Sequence, residues 1–199
     1  DFVAIIVVNG ANPNGDPLGG NMPRVCIDGF GFITDVALKH KIRMWLDLIN
    51  QDAEGGEGPN KVLLVGADYG DKRSSTIKDR LTKYVPLTTK DGKGKKCIRT
   101  NEEIANDMCA NFRDVRCFGY TLATKADGAE GKDSNSSISV GLVGPVTIMD
   151  AKSVQPIMPV TTQITKCMSM DGGKCSDTIG TKYRVDNAAY VVKGSINPR

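Results

Sequence analysis

The sequence contains a single histidine, His40, among 199 residues. That scarcity excludes most nucleophilic triads, because Ser-His and Cys-His hydrolases need the imidazole base beside the nucleophile and a third group to orient it. The six cysteines, Cys26, Cys97, Cys109, Cys117, Cys167 and Cys175, form no C-x-x-C pair, and only Cys26 lies near His40 in sequence. Zinc-ligand spacing and a thioredoxin-type dithiol are both missing, so the cysteines read as reduced, buried, small apolar residues, and no metal or cofactor is expected. No stretch approaches the roughly 20 continuous apolar residues of a membrane span. The run Phe2–Val8 is too short for a signal peptide and lacks its basic flank. The expectation is a cytoplasmic protein with no membrane partner.

What is present is enough apolar material for a core. Hydrophobic residues make up 40% of the chain, which suffices for one core or two small ones without disulfides. With 22 glycines and 9 prolines the chain exceeds the usual combined share of about 12%, so turns and long loops are expected. The net charge of +3 hides an uneven distribution, since ten Lys and Arg fall between Lys72 and Arg99 against only Asp79 and Asp91. A glycine–lysine mixture such as Lys90 to Lys96 suits either a solvated loop or a segment that reaches a polyanion.

Along the chain, Phe2–Val8 is a continuous β-branched run ending at Asn9-Gly10, the pattern of a core strand covered on both faces. A loop of over twenty residues follows, through Asn12, Asn14 and Gly19-Gly20 to Arg24. Its Asn-Gly and Asn-Pro steps favour tight turns, which either leave amides free as an anion nest or form an inert turn cluster. Thr34-Asp35 opens a helix with Thr34 as N-cap, and Leu38, Ile42, Trp45, Leu46 and Ile49 form a helical stripe expected to pack on the sheet. Lys39 and Arg43, four apart on the flank of that stripe, make a candidate phosphate ledge, or simply a solvated flank. His40 reads as a partly exposed helix residue.

Residues 50–100 read as an insertion, broken from the helix by Gly55 to Pro59 and carrying the basic stretch. Thr100-Asn101-Glu102-Glu103 matches a capping box, with Ile104, Met108, Cys109 and Phe112 as the apolar stripe of the next helix. Val115–Ala123 and Leu142–Met149 read as an antiparallel pair with a long tip. Beyond Asp150, the alternating run Thr161–Met168 turns near Asp171-Gly172-Gly173 and returns over Tyr183–Ser195, a ribbon suited to an arm. Met168 at its end could wedge between bases or tuck under its own loop. These elements give an α+β protein.

In order, the motifs N-G-x-N-P-N-G-D-P (9–17), G-N-M-P-R (20–24), T-D-V-x-L-K-x-K-I-R (34–43), D-M-C-x-N-F-x-D-V-R-x-F-G (107–119), G-P-V (144–146), S-V-x-P-I (153–157), I-T-x-x-M (164–168) and A-Y-V-V-x-G (189–194) resemble the backbone (RAMP) subunit of type I CRISPR Cascade complexes, nearest to the I-C or I-B subtype. The resemblance implies a modified RRM-like, ferredoxin-like palm with an antiparallel sheet over 1–49 and 101–199. It also implies a basic finger-like insertion at 50–100 and a β-hairpin thumb at about 153–182. Family members continue beyond residue 199, so the C-terminal part of the palm is expected to be missing from this sequence.

Several copies would polymerise along a CRISPR guide RNA, with other Cascade subunits, and present it to a target DNA strand in antiviral defence. The implied RNA contacts are Asn12, Asn14 and Arg24 in the loop, Lys39 and Arg43 on the helix, Arg116, Phe118 and Gly119, Ser153, and Lys166 and Met168 in the thumb. No catalytic residue is implied, and such a subunit must accept every guide, so it reads charge and shape rather than bases. Two alternatives stay open: a type III-like subunit that cuts RNA with Asp35, and an RRM-like RNA-binding module unrelated to CRISPR.

Overall fold

The structure, a computed structural model, describes residues 1–54, 58–65, 76–90, 96–125, 137–165 and 179–197. The elements in chain order are β1 (Phe2–Ala11), β2 (Gly15–Asp16), β3 (Met22–Pro23), β4 (Phe30–Ile33), α1 (Asp35–Glu54), α2 (Ile77–Tyr84), β5 (Thr88–Lys90), β6 (Lys96–Ile98), α3 (Asn101–Asn111), α4 (Arg113–Phe118), β7 (Gly119–Lys125), β8 (Ser137–Val143), β9 (Val146–Ile148), β10 (Ala151–Pro156), β11 (Val160–Thr165) and β12 (Ile179–Ile196). All strand pairs in the named ladders are antiparallel, so the protein is a mixed α+β fold. No helix among the described residues is long and apolar enough to cross a membrane.

Two compact units divide the chain, one of residues 1–38 with 148–194 and the other of 39–147 with 195–199. This division puts residues 101–147 with the insertion, where the sequence reading put them with the N-terminal strand.

The first unit is a sheet in the order β1-β12-β10-β4, with β11 also paired to β12. Register fixes its two faces, because residues directly opposite in a ladder share a face. Ile5 faces Val191, Val191 faces Lys152, and Lys152 faces Phe32, so all four lie on one side. The other side carries the packed residues Ile33, Ala151, Ser153, Tyr190 and Val192. Gly31 makes room for its neighbours: a Cβ there would stand 2.7 Å from the Tyr190 hydroxyl and 2.5 Å from Ile157 Cδ1, so those side chains would have to shift. Tyr190 is fully buried, its hydroxyl has no partner among the described residues, and burial raises its pKa.

Strand β1 exists as expected but is not covered on both faces. Val3, Ile5 and Val7 are 66%, 69% and 77% exposed, and β1 stands at the end of the sheet. A continuous apolar run cannot by itself distinguish a central strand from an edge strand with one bare face.

The second unit closes around an apolar cluster that includes Leu63, Leu81, Val85, Ile104, Met108, Phe112, Val115, Leu122, Ile138 and Val140. The Thr100–Glu103 capping box is present in full and starts α3, and Tyr84 meets Phe112 edge-on at 6.0 Å. Residues 115–118, expected as strand, are helix α4, and the strand begins only at Gly119. Gly119 makes that corner: its φ is +77°, and a Cβ would collide with the Leu142 carbonyl, so a bulky residue is excluded twice over. A hairpin forms, but its second strand is β8, Ser137–Val143, which lies almost entirely in the stretch expected as the tip. The strand expected at Leu142–Met149 is mostly β9, which pairs with β12 instead.

Helix α1 starts in the first unit and continues in the second. Thr34 caps it, its Oγ1 accepting from the Ala37 N–H at 3.2 Å. The expected packing of its apolar stripe holds for Leu38, which is buried, but not for Trp45, which is 64% exposed, or for Ile49. Past Leu38 the helix turns its polar side inward, with Asp47 and Asn50 buried and Arg43 nearly so.

Candidate nucleic-acid interface

The loop after β1 is held together by its own side chains. Asn12 Nδ2 donates to the Asn21 carbonyl at 2.7 Å, while its Oδ1 is buried without a partner. Asn14 Oδ1 accepts from the Thr34 N–H at 3.0 Å and the Thr34 hydroxyl at 3.1 Å, which ties the loop to the start of α1. Arg24 donates its backbone N–H to the Asn14 carbonyl and pairs with Asp16 at 3.4 Å, its guanidinium 6.0 Å from the Phe32 ring centroid. Arg24 and Asn14 are thus in contact, while Asn12 is tied to Asn21.

The amides of that loop are arranged differently from a nest. Gly19 and Asn21 donate to the Asp16 carbonyl, Leu18 donates to the Asp16 carboxylate, and Met22 donates to the Gly19 carbonyl. Four N–H groups that could have faced an anion are satisfied inside the turn, three by the backbone carbonyls of Asp16 and Gly19 and one by the Asp16 side chain. Any anion held here would meet side chains rather than those amides.

In the second unit Arg43 lies against α4. Its Nε is 3.3 Å from Asp114 Oδ2, and its guanidinium carbon is 5.3 Å from the Phe118 ring centroid. Asp114 is buried and also accepts from the N–H groups of Leu63 at 2.8 Å and Leu64 at 3.0 Å. Arg116 donates to the Cys109 carbonyl and to Asn60 Oδ1 at 3.1 Å. Phe118 is half-buried beneath Arg43, and Lys39 is half-buried one turn before it. The pair Lys39/Arg43 is therefore not an open ledge of two free charges, since Arg43 already has a carboxylate partner and is 13% exposed.

Ser153 is buried. Its hydroxyl accepts from the Gly31 N–H at 2.9 Å and donates to the Gln155 carbonyl at 2.6 Å, so both its functions are used within the sheet. Lys166 and Met168 lie outside the described residues. Asp35 stands in the first turn of α1, and its backbone N–H donates to Asp150 Oδ1 at 2.7 Å. His40 is exposed, and the four described cysteines are half-buried free thiols rather than fully buried ones.

Several polar residues that organise these surfaces escaped the sequence reading. Asp114 is the main one, and its signal was an acid in the first turn of a helix taken for a strand. Lys61 is another: it is buried, with its ammonium 4.4 Å from the Tyr84 ring centroid and donating to the Gly58 carbonyl at 2.5 Å. A third is the pair of Lys152 and Asp28 at 2.7 Å, beside the Phe30 ring. Each partner lowers the other's tendency to neutralise, so Asp28 is pulled below and Lys152 pushed above its ordinary pKa.

The family described as CRISPR-associated protein Cas7 matches residues 1–199. A protein of Haloferax volcanii described as CRISPR-associated protein Cas7 is 31% identical over 156 residues, covering 73% of this chain and 40% of its own length. The chain thus spans less than half of that relative. A solved chain titled "CRISPR RNA-guided surveillance complex, pre-nicking" is 11% identical and covers 98% of this chain and 63% of its own, with a TM-score of 0.42, too low to bear on function. The ordered motifs, the loop-to-helix tie through Asn14 and the full-length family match agree, and the chain belongs to the CRISPR-associated protein Cas7 family.

Proposed function

We propose that this chain is a CRISPR RNA-binding backbone subunit of a type I Cascade surveillance complex, nearest to the I-C or I-B subtype. The observation that carries the reading is the family match over residues 1–199. In this reading β1, α1 and the antiparallel β12 belong to an RRM-like palm, the basic stretch at 50–100 to a finger, and the β11/β12 ribbon to the base of a thumb. Copies of the chain polymerise along the guide, together with other Cascade subunits, in the cytoplasm, and the guide pairs with a target DNA strand.

The chain holds phosphates and makes or breaks no bonds. Arg24, Lys39 and Arg43 supply positive charge, with Asn12 and Asn14 shaping the loop. Guides differ in sequence, so contacts confined to the ribose-phosphate chain serve all of them. A cutting role for Asp35 is not favoured, since a first-turn acid beside helix N–H groups is explained by helix electrostatics.

Nucleic acid extracted from the purified protein tests the proposal. Short RNAs of uniform length with shared repeat-derived ends are expected. RNA of random length and origin would reject the Cascade reading. Regular cleavage of guide-complementary RNA, abolished by Asp35→Ala, would instead make the protein a nuclease.

A further inference from the structure

The geometry points to Asp114 and Phe118 as positioning residues that seat Arg43 as a preorganised fork for one phosphate. This rests on the reading that α1 faces RNA, and it goes beyond that reading in naming how one contact is built.

Arg43 is held on two sides. The Phe118 ring lies under its guanidinium at 5.3 Å, and Asp114 Oδ2 stands 3.3 Å from Nε. That approach is an ion pair without hydrogen-bond geometry, because Nε is buried and has no hydrogen-bond partner. Among the described residues no hydrogen bond engages the two terminal nitrogens, and the side chain as a whole is 13% exposed. A planar guanidinium fixed at Nε with both Nη groups free matches two oxygens of a phosphate, and a fork already in place loses less freedom on binding.

Asp114 is itself immobile, since Leu63 and Leu64 donate to its two oxygens from the backbone. It stays satisfied if Arg43 shifts by a few tenths of an ångström toward a ligand. The D-V-R-x-F-G motif thereby gains a physical reading in which its aspartate and phenylalanine touch an arginine 71 positions earlier in the sequence (114 − 43 = 71).

The test is binding of single-stranded oligouridylate to the purified protein across a range of salt, with thermal unfolding of each variant measured alongside. Arg43→Ala is expected to weaken binding about tenfold, as for a hydrogen-bonded charged contact. It should also make the log-log salt slope shallower by about 0.7, the share of one phosphate on a single strand. Arg43→Lys keeps the slope and still loses affinity, because a point charge lacks the fork. Phe118→Leu is expected to weaken binding about two- to fivefold with the slope unchanged, the size of one cation–π contact. Combined with Arg43→Lys it should add nothing.

Asp114→Asn is the sharpest variant, provided that it folds. Removing an acid should strengthen RNA binding if Asp114 acts only through its charge, and weaken it if Asp114 seats Arg43. Wild-type affinity in Phe118→Leu, or tighter binding in Asp114→Asn, would overturn the seat. An unchanged slope in Arg43→Ala, with the parent protein still salt-dependent, would remove Arg43 from the interface and leave the RNA-binding reading standing. No salt dependence in the parent protein would reject that reading itself.

Discussion

The two compact units treat charge in opposite ways. In the second, Arg43 meets buried Asp114, Arg80 meets buried Asp47 at 3.5 Å, and Lys61 is itself buried against an aromatic ring. In the first, Lys152 and Arg184 pair with Asp28 and Asp186 at surfaces open to water, and Arg24 pairs with Asp16 in a partly exposed contact. The apolar residues divide the other way. The second unit closes its core around α3 and the β7/β8 hairpin, whereas the first leaves the Val3-Ile5-Val7 row of β1 bare. A count of basic residues therefore overstates the positive surface of the second unit, where breaking a pair strands a buried partner. Surface pairs of the first unit exchange with solvent or a ligand at little cost.

The largest expected effect breaks that contrast at its strongest point. Asp114→Ala leaves two backbone N–H groups without their acceptor and a nearly buried guanidinium without its counter-charge, and should cost about 3–5 kcal/mol in chemical denaturation. A loss below about 1 kcal/mol would mean that water replaces the carboxylate and that the second unit is less closed than it looks. Next, Ile104→Ala in the closed core should cost about 2–5 kcal/mol. Ile5→Thr on the bare face of β1 should stay within about 0.5 kcal/mol. Similar losses at the two positions would show that the outer face of β1 is covered in solution.

Removal of the α3 cap is a smaller test. Thr100→Ala should cost about 1 kcal/mol. The Glu103 carboxyl is held below its ordinary value mainly by accepting from the Thr100 N–H, then by the Thr100 hydroxyl. A lowered carboxylate pKa stabilises the fold above the unfolded value of about 4.5, and the gain disappears as pH falls through the folded value. The parent protein should therefore lose this increment in acid, and the Thr100→Ala protein should show less of it.

The smallest effect is expected at Lys152. Its pKa is raised by Asp28, so the pair contributes below the unfolded value of about 10.5 and is lost as pH rises through the folded one. Both groups are exposed, so Lys152→Ala should leave the melting temperature nearly unchanged at neutral pH and at any salt. A marked drop would show that surface pairing in the first unit carries more than its exposure allows.

Local signals were legible in the sequence wherever a short motif decides the structure. Thr34 caps α1, and Thr100 and Glu103 form their box. Features set by distant partners were not legible. The polar side of α1 is buried because Asp114 and Arg80 come from elsewhere in the chain, and no periodicity within α1 encodes that. Val115 and Phe118 mimic strand residues, yet the left-handed corner at Gly119 lets a short helix precede the strand. Of the candidate site, the sequence did not show that Asn14 ties the loop to Thr34 or that the Ser153 hydroxyl bonds to Gly31 and Gln155 within the sheet, because these partners are distant in sequence or set by the local turn of the strand. The amides of the loop could not be assigned from sequence, because three of them are taken by the carbonyls of Asp16 and Gly19, which depends on how the backbone folds back in the turn.

The most direct measurement of a phosphate-gripping, sequence-indifferent role is the salt dependence of binding to two single-stranded RNAs of unrelated sequence. If each chain neutralises about four phosphates, both should give a log-log slope near −3 per chain and equal affinities at each salt concentration. A slope near zero, or a strong preference for one sequence, would contradict it.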